Sequence, residues 1–307
     1  MMWKWVFCPK HEYQAIPWEE CLECDNLACH ERCPPWQFRL MLYEDLMAWK
    51  PEIGVYHVTE LTKQRQAYFN RTRDYAASFD HALDLHIGRA FHEYLQKKFE
   101  PFVEVPVWRD YGKFTVLGRI DAYDYKIALI IDFKVYSSLY FVHRKGVAPE
   151  HEFQVQAYYT LARQLDPSEE DIICDPRRHL SLIFLKLPPK RLIVWYFAKR
   201  ARKRGKEIVV DRLDRYHKGV VEPIIRTDIY QRAEALHRAL ITAKPPSRLT
   251  CPEWLCCFCP HLEICLGSEF KPWEKWDREI LERKMELENI PREKLRELAI
   301  KRGIWRG

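Results

Sequence analysis

The amino-acid sequence predicts an α/β protein with a mixed central sheet flanked by helices and with small cysteine-rich ends. Three observations support this prediction: apolar patterns in the order helix, three strands, helix, two strands; 307 residues of which 47% are hydrophobic; and 11 cysteines, ten of which gather towards the two ends. A chain of this length can bury one substantial core and carry small additions. The element order is typical of an α/β sandwich.

Two helices are predicted from apolar periodicity. The first runs from His81 to Phe99. Its apolar residues recur near helical spacing, at Leu85, Ile87, Phe91 and Leu95. The second runs from Glu152 to Leu165. Both are expected to flank the central sheet.

Three strands are predicted between these helices. They cover residues 102–108, 113–123 and 127–136, and a short polar turn joins the last two. After the second helix, the apolar runs 180–187 and 191–198 flank a Pro-Pro pair and are interpreted as a hairpin. The dense basic run from Ala198 to Glu207 fits a solvated helix or loop at least as well as a DNA contact.

The cellular compartment is predicted from the chain start and the cysteines. The first residues lack the pattern of a secretory signal, and no apolar stretch is long enough to span a bilayer. We therefore expect a cytoplasmic protein with no membrane partner. The formal net charge of +6 mildly favours a polyanionic partner. Since cytosolic thiols stay reduced, the clustered cysteines indicate metal sites rather than disulfides.

A candidate catalytic group lies where the third strand brings an apolar run directly into Asp132, Phe133 and Lys134. Because side chains alternate along a strand, Asp132 and Lys134 share one face and Phe133 lies on the other. Hairpin pairing with the preceding strand could bring Asp121 beside Asp132. Taken alone, Asp-x-Lys is far more often structural than catalytic.

These carboxylates predict a site for Mg²⁺ or Mn²⁺. Two acidic side chains and a backbone carbonyl, that of Phe133, supply the hard oxygen ligands that these ions prefer. His92 on the first helix could complete the metal shell, although an isolated histidine is more often part of a core. Such a site is suited to phosphodiester hydrolysis, in which the metal activates water and neutralises the phosphate.

Gln154 and Tyr158 lie one turn apart on the second predicted helix and therefore share a face. They could bind a phosphate or a base edge and stack on a nucleotide. Taken alone, such a pair is more often ordinary surface.

The order of these residues resembles the RecB-like branch of the PD-(D/E)XK nucleases, from about Gly54 to Cys265. The resemblance implies a restriction-endonuclease-like core and DNA as substrate. It also implies a catalytic site formed by His92, Asp121, Asp132 and Lys134, with Gln154 and Tyr158 near the DNA. A catalytically silent DNA-binding subunit, or a nuclease of DNA repair, recombination or a virus, is the alternative; RNA as substrate also stays open.

The late cysteines predict a second metal centre. Residues 251–265 contain five cysteines, a density that selects zinc or an iron–sulfur cluster. The segment resembles the end of the CRISPR-associated RecB-like exonucleases, which implies a [4Fe–4S] cluster and a CRISPR integrase as a partner. The late ligands would be Cys256, Cys259 and Cys265. The family's early cysteine is replaced by Lys63, so Cys251 or the distant Cys33 would supply the fourth thiolate.

The first residues contain a candidate zinc site. Cys8 and His11 form one possible knuckle, and Cys21 and Cys24 form another. Cys29 or Cys33 could replace His11 as the fourth ligand. The sequence thus divides into a zinc module (1–53), a nuclease core (54–250), a cluster segment (251–270) and a charged helical extension (271–307).

Overall fold

In a computed structural model, the chain divides into two compact units. The first contains residues 1–51, 65–83 and 245–307, and the second contains residues 52–64 and 84–244. The structure describes residues 5–8, 14–24, 36–48, 51–73, 76–77, 79–136, 139, 142–143, 146–167, 178–204, 207–218, 223–247 and 261.

Helices and strands are interspersed along the described chain. In order they are β1 (Trp5–Cys8), β2 (Gln14–Pro17), α1 (Trp18–Glu23), α2 (Trp36–Ala48), β3 (Val55–His57), α3 (Val58–Leu61), α4 (Gln64–Thr72), β4 (Ala76–Ala77), α5 (Phe79–Gln96), β5 (Val103–Asp110), β6 (Thr115–Asp124), β7 (Leu129–Tyr136), α6 (Pro149–Arg163), α7 (Arg178–Ser181), α8 (Ile183–Lys186), β8 (Arg191–Arg204), β9 (Glu207–Lys218) and α9 (Pro223–Thr242).

The first unit contains a small sheet in the order β2-β1-β4. Strand β1 pairs antiparallel with β2 and parallel with β4. Val6 and Trp18 are buried in this unit, as is Leu42 on α2.

The second unit is built on a mixed sheet in the order β3-β6-β7-β8-β9, with β5 also paired to β6. The β6–β7 pair is antiparallel, β7–β8 is parallel, and β8–β9 is antiparallel. Buried apolar side chains of β6, β7 and β8 form a core cluster, and Phe91 and Leu95 of α5 pack against it. The predicted mixed α/β fold is confirmed.

The predicted helices and first three strands are found with small shifts at their ends. Helix α5 begins two residues before His81 and ends at Gln96. Helix α6 begins at Pro149, whose fixed φ and missing N–H suit the first helical position. Ile87 is 43% exposed, so only the later part of the apolar stripe on α5 packs on the sheet. The side chain of Leu85 lies outside the described residues.

The predicted hairpin across the Pro-Pro pair is wrong. Residues 180–187 lie mainly in the single-turn helices α7 and α8. Ser181 and Phe184, three residues apart, are buried, whereas Leu185 and Leu187 are exposed. A short apolar run does not distinguish a buried strand from helical turns, and here the i, i+3 burial pattern is helical.

The hairpin of this region is formed instead by β8 and β9. Strand β8 includes the basic run up to Arg204, so this part is neither helix nor loop. In the described part of the chain, no helix combines the length and apolar character needed to cross a bilayer.

Candidate active site

The β6–β7 pairing brings Asp121 and Asp132 together, as the sequence predicts. Ala122 lies opposite Ile131 in the antiparallel register, which places Asp121 and Asp132 at the next position along the ladder. The Phe133 N–H donates a hydrogen bond to Asp121 Oδ2 at 2.7 Å. Two carboxylates on neighbouring strands are therefore held close by backbone pairing.

Asp132 is fully buried, and its carboxylate lies between two donors. Lys134 Nζ lies 2.9 Å from Oδ1 and 2.7 Å from Oδ2. Gln154 Nε2 donates to Oδ1 at 3.1 Å. These contacts offset the large cost of removing a carboxylate from water. The predicted shared face of Asp132 and Lys134 is observed.

The Asp132 carboxylate is not fully satisfied by these donors. Its Oδ2 atom is buried and accepts no hydrogen bond of acceptable geometry, although the Lys134 ammonium is near. A buried polar atom without a hydrogen bond is uncommon and requires an explanation. A cation ligated at this oxygen would provide one.

Asp121 is only 15% exposed, and its pKa is raised well above the ordinary value. Burial is the main cause, and the neighbouring Asp132 carboxylate adds to it. The Lys134 ammonium and the Phe133 N–H act in the opposite direction. Two close carboxylates that are costly to ionise together provide a suitable environment for a divalent cation.

His92 lies beside this carboxylate pair. Its Nδ1 atom is 3.6 Å from Asp121 Oδ2, and its ring contacts Phe133 edge-on at 5.8 Å between centroids. Burial lowers the pKa of His92, and the Lys134 ammonium lowers it further. The imidazole is therefore neutral near pH 7, which is the form that binds a metal.

Gln154 and Tyr158 belong to the same cluster and are both buried, so the ordinary-surface interpretation is wrong. The Gln154 amide donates to the Tyr158 hydroxyl at 2.8 Å as well as to Asp132. A Cβ atom on Gly118 would lie 2.8 Å from Tyr158 Cδ1. Gly118 therefore allows the Tyr158 ring to approach β6, a role that sequence reasoning missed.

A third carboxylate near Asp121 was also missed. Glu104 of β5 adopts a left-handed backbone conformation with φ of 50°, and the ladder pairs Val103 with Ala122 and Val105 with Ile120 on either side of it. Gln96 Nε2 donates to Glu104 Oε1 at 2.6 Å and to the Asp121 carbonyl at 3.2 Å. The nearby negative charge of Glu104 contributes to the raised pKa of Asp121. The local feature that distinguishes Glu104 is its positive φ, which is uncommon for a non-glycine residue. No pattern in the sequence indicates this conformation.

A histidine bridge next to the site was missed as well. His151 Nε2 lies 3.1 Å from the Tyr136 hydroxyl, and Nδ1 lies 3.0 Å from the Tyr196 hydroxyl. Tyr136 follows Lys134 by two residues on β7, and His151 precedes Gln154 by three residues on α6. The bridge thus links β7, α6 and β8 beside the carboxylate pair.

The donor set fits a hard divalent ion. Asp121, Asp132 and the neutral His92 lie together, and Asp132 Oδ2 lacks a hydrogen bond. In their present rotamers, however, no three His, Cys, Asp or Glu side chains of the described residues form an arrangement that would hold a metal. The physical reason is that Asp121 accepts the Phe133 N–H and Asp132 faces Lys134. An ion would compete with these donors for the same oxygens.

Comparison with known families decides the family of this chain. A family model of the PD-(D/E)XK nuclease superfamily matches residues 52–266, which include every residue of the cluster. The chain belongs to the PD-(D/E)XK nuclease superfamily. Members of this superfamily hydrolyse phosphodiester bonds in nucleic acids, typically with Mg²⁺ or Mn²⁺.

Two further comparisons add little detail to this PD-(D/E)XK assignment. No curated protein matches the chain. Among solved structures, the crystal structure of SSO0001 is similar at 16% sequence identity with a TM-score of 0.44, covering 76% of this chain and 95% of that one.

Three cysteines of the candidate zinc site are described in this PD-(D/E)XK protein. Cys8 and Cys21 are buried and Cys24 is half-buried, and none forms a disulfide. Burial raises the pKa of Cys21, and the nearby Cys8 and Cys24 thiols raise it further. Arg39 donates to the carbonyls of Cys21 and Cys24. His11, Cys29 and Cys33 lie outside the described residues.

The cysteines of the candidate iron–sulfur centre, Cys251, Cys256, Cys259 and Cys265, also lie outside the described residues. One residue between them, His261, is described and fully buried. Its Nε2 atom lies 2.6 Å from Asn70 Oδ1, and its ring contacts Phe69 at 5.7 Å. His261 therefore packs against α4.

Proposed function

We propose that this PD-(D/E)XK protein is a metal-dependent deoxyribonuclease that acts as an exonuclease on single strands or strand ends in the cytoplasm. The observation that carries the proposal is the fully buried Asp132 carboxylate, held by Lys134 and Gln154 beside Asp121, in a chain of this superfamily. A carboxylate this isolated from water is expensive to maintain, which supports a catalytic role.

The metal ligands in this proposal are Asp121, Asp132 and the Phe133 backbone carbonyl, with His92 completing the set. When bound there, Mg²⁺ or Mn²⁺ supplies the charge that lowers the pKa of an attacking water and neutralises the phosphate. The neutral His92 can ligate without a prior proton loss.

The other polar residues orient the reacting groups. Lys134 is 17% exposed, so its ammonium contacts Asp132 and can also donate to water or to a phosphate oxygen. Gln154 fixes the orientation of Asp132 through Oδ1. We propose that Gln154 and Tyr158 together place the scissile phosphate, acting from a largely buried position.

We also propose a [4Fe–4S] cluster on Cys251, Cys256, Cys259 and Cys265. Support comes from the density of thiols in the sequence and from the resemblance of the late cysteine segment to the CRISPR-associated RecB-like exonucleases. Anaerobically purified protein should be brown, with broad absorbance near roughly 400 nm. Colourless protein that contains zinc in place of iron would contradict the cluster.

A structural zinc ion in the first unit is proposed on Cys8, His11, Cys21 and Cys24. Its support is that Cys8 and Cys24 lie close enough to Cys21 to raise the pKa of its thiol. None of these three thiols forms a disulfide, and the Cys21-x-x-Cys24 spacing is typical of a zinc knuckle. Zinc analysis of wild type and of the Cys21→Ser variant tests this assignment.

The pathway that we propose is the processing of DNA before its capture into CRISPR arrays, with an integrase as partner. Its support is the resemblance of the late cysteine segment to the CRISPR-associated RecB-like exonucleases. The experiment that tests the activity is cleavage of end-labelled single- and double-stranded DNA, with free and blocked ends, in Mg²⁺ or Mn²⁺. Products that shorten stepwise from free ends are expected, whereas cleavage of blocked substrates would contradict exonuclease action.

A further inference from the structure

We propose that the β8–β9 hairpin is a DNA-binding arm that holds the substrate strand next to the cleaved bond. The basic arm consists of residues 199–204 of β8 with residues 207–210 of β9. The proposal rests on the deoxyribonuclease function, because it assigns the substrate's phosphate backbone to this arm.

The strand pairing shows how the basic arm is formed. The parallel pairing of β7 with β8 ends at Tyr136 and Ala198, where β7 itself ends. Strand β8 continues to Arg204 and pairs antiparallel with β9, from Ala201 opposite Val210 to Arg204 opposite Glu207. The last part of β8 therefore extends beyond the end of β7 as half of a two-stranded ribbon.

The composition of the arm gives it a dense positive charge. Five of the last six residues of β8 are basic: Lys199, Arg200, Arg202, Lys203 and Arg204. The ladder pairs Arg202 with Val209, Lys203 with Ile208 and Arg204 with Glu207. Arg202 and Lys203 therefore have aliphatic residues directly opposite them, so the register supplies no acidic partner to balance their charge across the ribbon. A polyanion could balance it instead.

The register places the arm at the active-site edge of the sheet. Lys134 lies opposite Tyr196, and the parallel strands point from there toward the tip of the arm. Eight residues separate Tyr196 from Arg204, which is about 26 Å at 3.3 Å per residue. This reach corresponds to roughly eight phosphates at the 3.4 Å spacing along one strand of duplex DNA. A DNA strand leaving the active site in this direction would follow the arm.

The partner that fits this ribbon is the phosphate backbone of DNA. Lysine and arginine neutralise phosphates and release condensed counterions, which makes binding depend steeply on salt. A two-stranded ribbon is also narrow enough to enter the major groove of a duplex.

The test compares two variants that each lose three positive charges. The arm variant carries Arg202→Gln, Lys203→Gln and Arg204→Gln. The control variant carries Lys126→Gln, Lys190→Gln and Arg191→Gln, which are exposed and lie at the opposite end of β7 and β8. Binding of a fluorescent 20-nucleotide single strand is measured in EDTA at several salt concentrations, so that hydrolysis is not required.

We expect the arm variant to bind about tenfold or more weakly than wild type, with a log–log salt slope that is smaller in magnitude by about two. The control variant should lose markedly less affinity, and the magnitude of its salt slope should fall markedly less. The arm variant should unfold at the wild-type temperature. Equal binding of the 20-nucleotide strand by the arm and control variants would overturn the proposal.

These experiments distinguish a failure of the arm proposal from a failure of the nuclease proposal. If the arm variant loses DNA affinity but wild type cleaves no DNA in any metal, the arm stands as a DNA-binding element and the nuclease proposal fails. If wild type cleaves DNA and the arm variant binds as tightly as wild type, the nuclease proposal stands and the arm is refuted.

Discussion

Asp121 is a proposed metal ligand whose burial costs stability. Its raised pKa means that the folded state binds a proton on this carboxyl more tightly than the unfolded chain does. The free energy of unfolding therefore falls as pH rises through that folded-state pKa. Above that pKa and without metal, the ionised carboxylate is a source of instability next to Asp132.

The prediction is that Asp121→Asn raises the melting temperature of the metal-free protein at neutral pH. The amide oxygen can still accept the Phe133 N–H, while the repulsion from Asp132 is removed. The variant should lose the increase in melting temperature that Mn²⁺ gives to wild type, since a ligand that binds only the folded state stabilises it. Thermal unfolding with and without Mn²⁺ measures both effects. A variant that is less stable without metal, or equally stabilised by Mn²⁺, would contradict the role given to Asp121.

Gly118 determines how closely Tyr158 approaches β6. In a Gly118→Ala variant, the new Cβ would lie 2.8 Å and 2.9 Å from two ring atoms of Tyr158 and 3.0 Å from Val107 Cγ2. The ring must move and disturb its hydrogen bond with Gln154, so we expect slower cleavage and a loss of about 1–3 kcal/mol in the free energy of unfolding.

Gly88→Ala is the matched control for this substitution. Gly88 lies within α5, and a Cβ atom there meets nothing within 4 Å. Alanine in a helix interior should stabilise by up to about 1 kcal/mol and leave cleavage unchanged. Cleavage at the wild-type rate by Gly118→Ala would show that the position of Tyr158 does not affect the reaction.

At the scale of elements, the His151 bridge fixes α6 against β7 and β8. Burial, together with the smaller effects of the Lys134 and Lys63 charges, lowers the pKa of His151 to about 2. The unfolded chain binds a proton on this imidazole below about pH 6.5, whereas the folded protein does not. Stability contributed by the neutral bridge is present above that pH and is lost as pH falls.

We therefore predict that the free energy of unfolding decreases by about 1.4 kcal/mol per pH unit for this one proton below pH 6. His151→Gln should lower stability at pH 7, because the bond to one or both tyrosines is lost, by about 1–3 kcal/mol. The substitution should also remove the part of the pH dependence of the unfolding free energy that comes from the proton on His151. Urea unfolding at pH 7 and pH 5.5 tests both; an unchanged pH dependence in the variant would refute the assignment.

The elements also show which parts of the site the sequence could predict. Alternation along a strand determines that Asp132 and Lys134 share a face, and a short turn indicates that Asp121 is on the paired strand. The contact between His151 and the Tyr196 hydroxyl depends on the parallel pairing of β7 with β8, which no local pattern in the sequence reveals. Glu104 was missed because its position depends on an interrupted β5–β6 ladder.

At the scale of the whole molecule, the mixed sheet was predictable because its strands and helices have different apolar periods. The division into two units was not, because the first unit combines the two chain ends with residues 65–83. Such pairing of distant segments depends on tertiary contacts that leave no composition signal. The fold thereby brings residues from α5, β6, β7 and α6 into one candidate active site.

The most direct test of the proposed nuclease site is the rate at which Asp132→Asn cleaves end-labelled single-stranded DNA in Mn²⁺. The control is Asp124→Asn, which changes a carboxylate on β6 that accepts the backbone N–H of Lys126. We predict a loss of more than roughly 100-fold for Asp132→Asn, beyond the 10- to 100-fold typical of residues that only support a metal ligand. Asp124→Asn should cleave at the wild-type rate. Equal rates for the two variants would contradict the central claim that Asp132 holds the catalytic metal.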